Sequence, residues 1–288
     1  MQSFEAIESL RRQVREWRQA GQSIAFVPTM GNLHDGHMAL ITHARTLADR
    51  VIASIYINPL QFNNAADLDS YPQTLTEDCR RLRTVAADAL YLPDAKQLYP
   101  YGMTDSVRVI VPGMSDILDG AFRPGHFTGV TTVVAKLFNI VQPDIAVFGD
   151  KDLQQLLLVR RMVADLMLPL QVVGVATVRE ADGLAMSSRN GYLSATERAR
   201  AGLLYQVLSA LREQWRRCDE GQCDYRALEQ MAMAELERQG WRPEYVSIRR
   251  GQDLVEPEPG ASAEQGGPLY VLAAAWLGTT RLIDNIPL

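Results

Sequence analysis

The chain has 288 residues, 47% of them hydrophobic, with 29 Lys and Arg against 34 Asp and Glu for a formal net charge of −5 at pH 7. That length suits one large domain or two ordinary ones, and it buries enough surface to hold a core without disulfides or metal. The acid excess excludes a general affinity for nucleic acid or an anionic membrane, and three cysteines without paired spacing are not a disulfide framework.

The opening stretch MQSFEAIESLRRQVREW mixes acids with apolar residues, unlike a signal peptide, and no apolar run reaches the roughly 18 residues of a membrane span. A soluble, cytoplasmic protein is expected. Phe4, Ile7, Leu10, Val14 and Trp17 recur at helical steps, so the chain opens on an amphipathic helix that Gly21 ends. Ser23–Pro28 is a short apolar strand, Gly36–Ala48 a helix and Val51–Asn58 a buried strand. Asn58–Pro72 has no period and reads as a long loop. Thr74–Ala87, Thr128–Val141 and Asp152–Leu166 are expected helices; Ala89–Leu92, Val107–Val111, Asp144–Gly149 and Leu170–Val178 are expected strands. This alternation predicts an α/β fold with a doubly wound parallel sheet, which binds ligands beyond the carboxyl ends of its strands.

After about residue 180 the texture changes. Ser194–Glu220 and Asp224–Gln239 read as two long helices, and Tyr245–Arg249, Leu269–Trp276 and RLIDN as short strands. Gly251–Pro268 reads as a solvent loop. A smaller α+β domain, 178–288, is expected to follow a first domain of 1–177.

The sharpest chemical feature is Pro28-Thr29-Met30-Gly31-Asn32-Leu33-His34-Asp35-Gly36-His37 at a strand-to-helix turn. Two glycines let backbone approach a ligand, and the helix start offers N–H groups and its positive dipole end to phosphate. His34 and His37, three apart, can share a face of the first turn and donate to phosphate oxygens as charge builds in a transition state. The plainer alternative is a capped helix carrying two surface histidines. Neither a Walker loop nor the GxGxxG dinucleotide fingerprint is present. Met186-Ser187-Ser188-Arg189-Asn190 offers two hydroxyls and a guanidinium for a leaving pyrophosphate, although such a run alone is more often a polar turn. Gly149-Asp150-Lys151-Asp152 opens another helix, with Lys151 able to neutralise phosphate charge and Gln155 one turn on. Asn58 and Gln61 begin the long loop and suit a small polar substrate, while Arg123 adds a cation and His126 is either a turn histidine or a substrate group. Cys79, Cys218 and Cys223 are read as packing or surface residues, and no residue is assigned to a metal.

The HxGH pair resembles the nucleotidyltransferase superfamily. FVPTMGNLHDGHMALI, INPLQF, YPQTLTEDC, FRPGHFTGVTTVVAKLFNIVQPDIAVFGDKDLQQ, DGLAMSSRNGYLS and AAAWLGTTRLIDN together resemble the pantothenate synthetase (pantoate–β-alanine ligase) family across nearly the whole chain. The resemblance implies a Rossmann-like domain of HxGH nucleotidyltransferase type with a C-terminal lid domain, usually as a homodimer. It implies ATP-dependent joining of (R)-pantoate and β-alanine through a pantoyl-adenylate, with Mg²⁺, in the supply of coenzyme A precursor. Its ATP site would fall on Met30, Gly31, Asn32, Leu33, His34, Asp35, Gly36, His37, Gly149, Asp150, Lys151, Asp152, Val178, Met186, Ser187, Ser188 and Arg189. Gln61 and Gln155 would hold pantoate, and His37 would be the family's proton donor; Asn58 and Arg123 complete the substrate set, and His34, His37, Lys151 and Arg189 the catalytic one. Asp150 departs from the more usual Glu, and Asn63-Asn64 is less usual in the substrate loop. Two rivals remain: an adenylyltransferase for a phosphorylated acceptor, which the neutral Gln61/Gln155 pair disfavours, and a silent nucleotide-binding scaffold, against which no phosphate-site cation or histidine is missing.

Overall fold

Buried apolar runs and amphipathic helices alternate along the first part of the chain. In order these are β1 (Gln2–Phe4), α1 (Ile7–Gln19), β2 (Ile24–Thr29), α2 (Asp35–Leu47), β3 (Arg50–Ile55), α3 (Ala65–Asp69), α4 (Leu75–Thr84), β4 (Ala89–Tyr91), α5 (Ala95–Leu98), α6 (Asp119–Phe122), α7 (His126–Val141), β5 (Ile145–Gly149), α8 (Leu153–Asp165) and β6 (Gln171–Val175). The computed structural model describes residues 1–218, 223–258 and 267–288. Among these, six strands form one parallel sheet in the order β1-β4-β3-β2-β5-β6. Ile24 to Val27 and Val51 to Ala53 are fully buried, the continuous apolar runs of strands covered on both faces. From β2 the chain proceeds to β3 and β4 on one side, and β5 and β6 lie on the other. That switch between β2 and β5 is where an open parallel sheet presents its ligand crevice.

The sequence reading of this region needs three corrections. The edge strand β1 is absent from the sequence reading, because Gln-Ser-Phe carries no periodic pattern. Val107–Val111 is not a strand: the Val109 N–H donates to Thr132 Oγ1, and its carbonyl accepts from Thr131 Oγ1, both side chains of α7. At Val109, threonine side chains take the place of a neighbouring strand, so strand composition does not make a ladder. The expected long loop after Asn58 contains a short 3₁₀ turn, Pro59–Gln61, and the helix α3.

The chain packs as two compact units, the first made of Met1–Asp150 with Gln155–Ala176 and the second of Lys151–Gln154 with Thr177–Leu288. The second contains α9 (Ala195–Arg198), α10 (Leu203–Trp215), α11 (Tyr225–Arg238), β7 (Arg242–Arg250), β8 (Leu269–Leu277) and β9 (Thr280–Pro287). The three strands make an antiparallel sheet, β7-β8-β9. Leu208, Leu236, Ile248 and Val271 form its dry core with the helices. The single helix expected over Ser194–Glu220 is broken: Ser194 and Glu197 make a capping box for α9, and α10 starts only after Gly202. A Cβ at Gly202 would lie 2.6 Å from the Asp182 carbonyl oxygen, so the chain turns closely there. Residues 219–220 of that expected helix lie outside the described residues, as do 259–266 of the expected solvent loop. Within the rest of that loop Leu254 is fully buried rather than solvated. Cys218 and Cys223, read from the sequence only as packing or surface residues, are joined by a disulfide with Cα atoms 5.3 Å apart, while Cys79 is a free thiol. A spacing of five residues does not announce that the ends of two helices meet.

Candidate active site

Beyond β2 the chain makes a tight turn whose backbone amides are held by a buried carboxylate. Gly31 has φ +81°, and a Cβ there would press on Ile55 Cγ2 at 3.0 Å and Asp78 Oδ2 at 3.1 Å. Asp78, 1% exposed on α4, accepts the N–H of Asn32 at 3.0 Å and of Leu33 at 2.8 Å, and the Thr74 hydroxyl at 3.1 Å. Helix α2 then starts with reciprocal histidine caps: His34 Nδ1 accepts from the Gly36 N–H and His37 Nδ1 from the His34 N–H, each at 3.2 Å. Their rings stand 4.1 Å apart. With Nδ1 accepting in both, the neutral imidazoles carry their proton on Nε2, making each a donor at its far nitrogen. The helix caps of the plainer reading are therefore present, and they set the tautomer of both rings. Asp35 instead pairs with Arg81 at 2.9 Å on the surface.

A second cluster follows β3. Asn58, 1% exposed, donates from Nδ2 to Gln61 Oε1 at 3.3 Å and to the Gly129 carbonyl at 3.1 Å, and accepts from the Tyr99 hydroxyl at 2.9 Å. Gly129 is obligatory, since a Cβ there would collide with the Leu60 carbonyl. The Gln61 carbonyl accepts from His126 Nδ1 at 2.7 Å and from Arg123 Nη2 at 3.2 Å. A carbonyl can only accept, so His126 is protonated at Nδ1, and its Nε2 meets Arg123 Nη1 at 3.2 Å. His126 is thus a satisfied histidine that fixes the backbone of Gln61. Gln61 Nε2 donates to Met30 Sδ at 2.8 Å, linking this cluster to the β2 loop. Burial pushes the Tyr99 hydroxyl up to about 12, so it stays a neutral donor.

β5 ends at Gly149, and the chain then forms a 3₁₀ turn, Asp150–Asp152, before α8. Asp150 fits because Gly174 on the neighbouring β6 has no Cβ to collide with it, and burial raises its carboxyl above the ordinary value. Gln155 is half-buried in the first unit. In the second unit Lys151 Nζ lies 3.8 Å from Asp152, and the Lys151 carbonyl accepts from Asn285 Nδ2 at 2.9 Å. The Val178 carbonyl accepts the Met186 N–H at 3.0 Å, closing a hairpin whose bridge is Arg179 to Ala185. Ser187 caps the 3₁₀ turn Ser188–Tyr192 by accepting the Arg189 N–H. Arg179 and Asp284 pair at 2.6 Å; burial pushes the Asp284 carboxyl up, while Arg179, Asn285 and Lys151 pull it down.

Of the expected residues, Met30–His37, Asn58, Gln61, Arg123, Gly149, Asp150 and Gln155 stand in the first unit, and Lys151, Asp152, Val178 and Met186–Arg189 in the second. Asp78, Tyr99, Arg179, Asp284 and Asn285 are additions that sequence reasoning misses. The available signals are a helix acid phased inward in TLTEDC and the polar pair Asp284-Asn285 between the apolar residues of LIDNIP.

A family model described as pantoate-β-alanine ligase matches residues 2–287. The chain is 52% identical over 287 residues to a pantothenate synthetase of Thioalkalivibrio sulfidiphilus, covering 100% of this chain and 98% of that protein. Among solved structures, a pantothenate synthetase from Thermus thermophilus matches with a TM-score of 0.89 at 40% identity, over 99% of each chain. A pantoate-β-alanine ligase from Francisella tularensis, complexed with β-γ ATP and β-alanine, matches with a TM-score of 0.78 at 32% identity, over 99% of this chain and 97% of that one.

Proposed function

Because this chain belongs to the pantoate–β-alanine ligase family and is an enzyme of pantothenate synthesis, we propose that it activates (R)-pantoate with ATP and passes the acyl group to β-alanine. The observation that carries this is the family match along residues 2–287. The complex of the Francisella relative with β-γ ATP and β-alanine supports both of those substrates.

In the first step a pantoate carboxylate oxygen attacks the α-phosphorus and diphosphate leaves. Pantoate is ionised at neutral pH, so no general base is needed. The enzyme supplies alignment and stabilisation of phosphate charge. ATP is assigned to Met30–His37, Gly149–Asp152, Val178 and Met186–Arg189, and pantoate to Gln61 and Gln155 with Asn58 and Arg123 beside them. His34, His37, Lys151 and Arg189 carry the charge stabilisation. The accepted bonds at both histidine Nδ1 atoms favour hydrogen-bond donation from Nε2 over proton transfer. In the second step the neutral amine of β-alanine attacks the acyl carbon and AMP departs, so the rate falls in acid as the amine protonates.

Magnesium enters with the nucleotide. It favours phosphate oxygens and water with one or two carboxylates, and among the described residues no group of three or more His, Cys, Asp or Glu is gathered for a metal. Phosphate oxygens and water suffice to hold it, with no protein ligand assigned, and the ion would lower the charge on the leaving diphosphate. Residues 1–177 act as the Rossmann-like substrate domain and 178–288 as a lid, in a cytoplasmic homodimer. No described helix is long and apolar enough to cross a membrane.

The test is ATP–pyrophosphate isotope exchange with Mg²⁺ and pantoate, β-alanine omitted. Exchange that requires pantoate is the expected result. Its absence in folded, ATP-binding protein would refute adenylate formation from this acid.

A further inference from the structure

Strand β9 buries two adjacent polar residues: Asp284 and Asn285 are 3% and 5% exposed. Burying such groups costs stability unless bonds replace their water, and each side chain has a partner outside the strand. Asp284 receives both guanidinium arms of Arg179, Nη1 on Oδ2 at 2.6 Å and Nη2 on Oδ1 at 2.9 Å. Arg179 also donates to the carbonyls of Gly183 at 3.0 Å and Asn285 at 3.2 Å, and it lies 4.1 Å over the Tyr205 ring. It stands at the bridge of the hairpin that leads into the Ser187–Arg189 turn. Asn285 Nδ2, one residue along, donates to the Lys151 backbone carbonyl at 2.9 Å.

We propose that Asp284 and Asn285 are positioning residues for adenylation: Asn285 sets the backbone from which Lys151 reaches, and Asp284, through Arg179, sets the hairpin that presents Ser187, Ser188 and Arg189. This rests on the phosphate roles given above to Lys151 and the serine turn. The physical logic is that a lysine has a long flexible stem. Its ammonium is placed only as well as its backbone, which here belongs to a short irregular turn rather than a sheet. One strand anchors both cation-bearing segments, so they share a frame. A buried polar pair in place of two packed apolar residues gives directional bonds that fix this geometry. Loosening such a frame lowers the rate of a charge-stabilised step more than it lowers affinity.

The experiment compares Asn285→Leu, isosteric but without the donor, in wild-type and Lys151→Ala backgrounds, reading pantoate-dependent exchange. In the wild-type background kcat should fall about tenfold with the KM for ATP within about twofold. In the Lys151→Ala background the same change should cost less than about twofold, because the residue being positioned is gone. An equal loss in both backgrounds would overturn the proposal. Hydrogen exchange reads the anchoring independently of chemistry. Asn285→Leu should speed exchange across 150–155, and Asp284→Asn across 178–189, with 225–238 unchanged in both. No change in either window also overturns it. Should Asn285→Leu fail to fold, the smaller Asn285→Ser carries the same expectations. A Lys151→Ala enzyme of near-normal activity would sink the role of Lys151 itself, and the hydrogen-exchange arm would still decide the anchoring.

Discussion

Asp78 and Asp284 are both buried carboxylates beside a candidate phosphate loop, yet one serves backbone amides and the other a guanidinium. In the first unit Asp78 takes three neutral donors: the amides of Asn32 and Leu33, which belong to the loop itself, and the hydroxyl of Thr74. In the second unit Asp284 neutralises Arg179 and takes the Asn285 N–H besides. The difference teaches how each loop is built. A turn leaving a parallel strand already has amides converging, and a carboxylate need only collect them. A hairpin between separate elements has no such convergence, so a long cation must cross the gap. The first arrangement holds backbone; the second holds side chains that hold backbone. The consequences of breaking them differ accordingly.

The largest expected effect comes from breaking the ion pair from one side. Arg179→Met leaves Asp284 buried without a counter-charge and should destabilise the protein by about 3–5 kcal/mol. Arg179→Met with Asp284→Leu should recover most of that, since an apolar pair needs no compensation. Urea midpoints measure both, and a single variant as stable as wild type would show the carboxylate to be solvated. Lys151→Ala comes next. It should lower pantoate-dependent pyrophosphate exchange about 10²- to 10³-fold, the effect of losing one strong charge-stabilising donor. A near-wild-type rate would take Lys151 out of the phosphate site. Asp78→Asn is third: the amide keeps one acceptor but turns an NH₂ toward a backbone N–H, at a cost of about 1–3 kcal/mol in unfolding free energy. Because those amides belong to the Gly31–Leu33 turn, the KM for ATP should rise in the same variant. A stability loss with unchanged ATP kinetics would separate Asp78 from the nucleotide.

How legible each arrangement is in the sequence follows the same division. The histidine caps occupy four consecutive residues, and the strand before them is a continuous apolar run, so the β2 loop can be read locally. Asp78 meets Leu33 across 45 residues, Asp284 meets Arg179 across 105, and Asn285 meets Lys151 across 134. No spacing rule reaches so far; what remains visible is a pair of polar residues where the strand pattern asks for apolar ones. His126 is legible as a site-adjacent histidine but not as the group that clamps Gln61, again because its partner lies 65 residues away. In the fold the misses have local causes. Val107–Val111 has strand composition, but its N–H and C=O go to threonine hydroxyls on α7. The expected long helix from Ser194 breaks where Gly202 passes the Asp182 backbone, a contact that helical periodicity does not encode.

The smallest effect isolates what burial adds to an ion pair. Asp182 and Arg198 make the same carboxylate–guanidinium contact as Asp284 and Arg179, but their side chains are 35% and 36% exposed. The hydrogen bond from Arg198 holds the Asp182 carboxyl below its ordinary value of 3.8, with the Leu184 N–H and the charge of Arg198 acting in the same direction against burial. A lowered folded value stabilises the protein fully above the unfolded value and loses that contribution as pH falls through the folded one. Asp182→Asn keeps an acceptor for the Leu184 N–H, so the comparison with wild type reads the charge. The difference should be under about 1 kcal/mol at neutral pH, because solvent and salt screen an exposed pair. It should hold constant down to about pH 5 and shrink below about pH 4. A difference that instead grew toward acid would mean that Asp182 is protonated more readily in the folded state. Exposure would then weaken the bond to Arg198 rather than merely screen it.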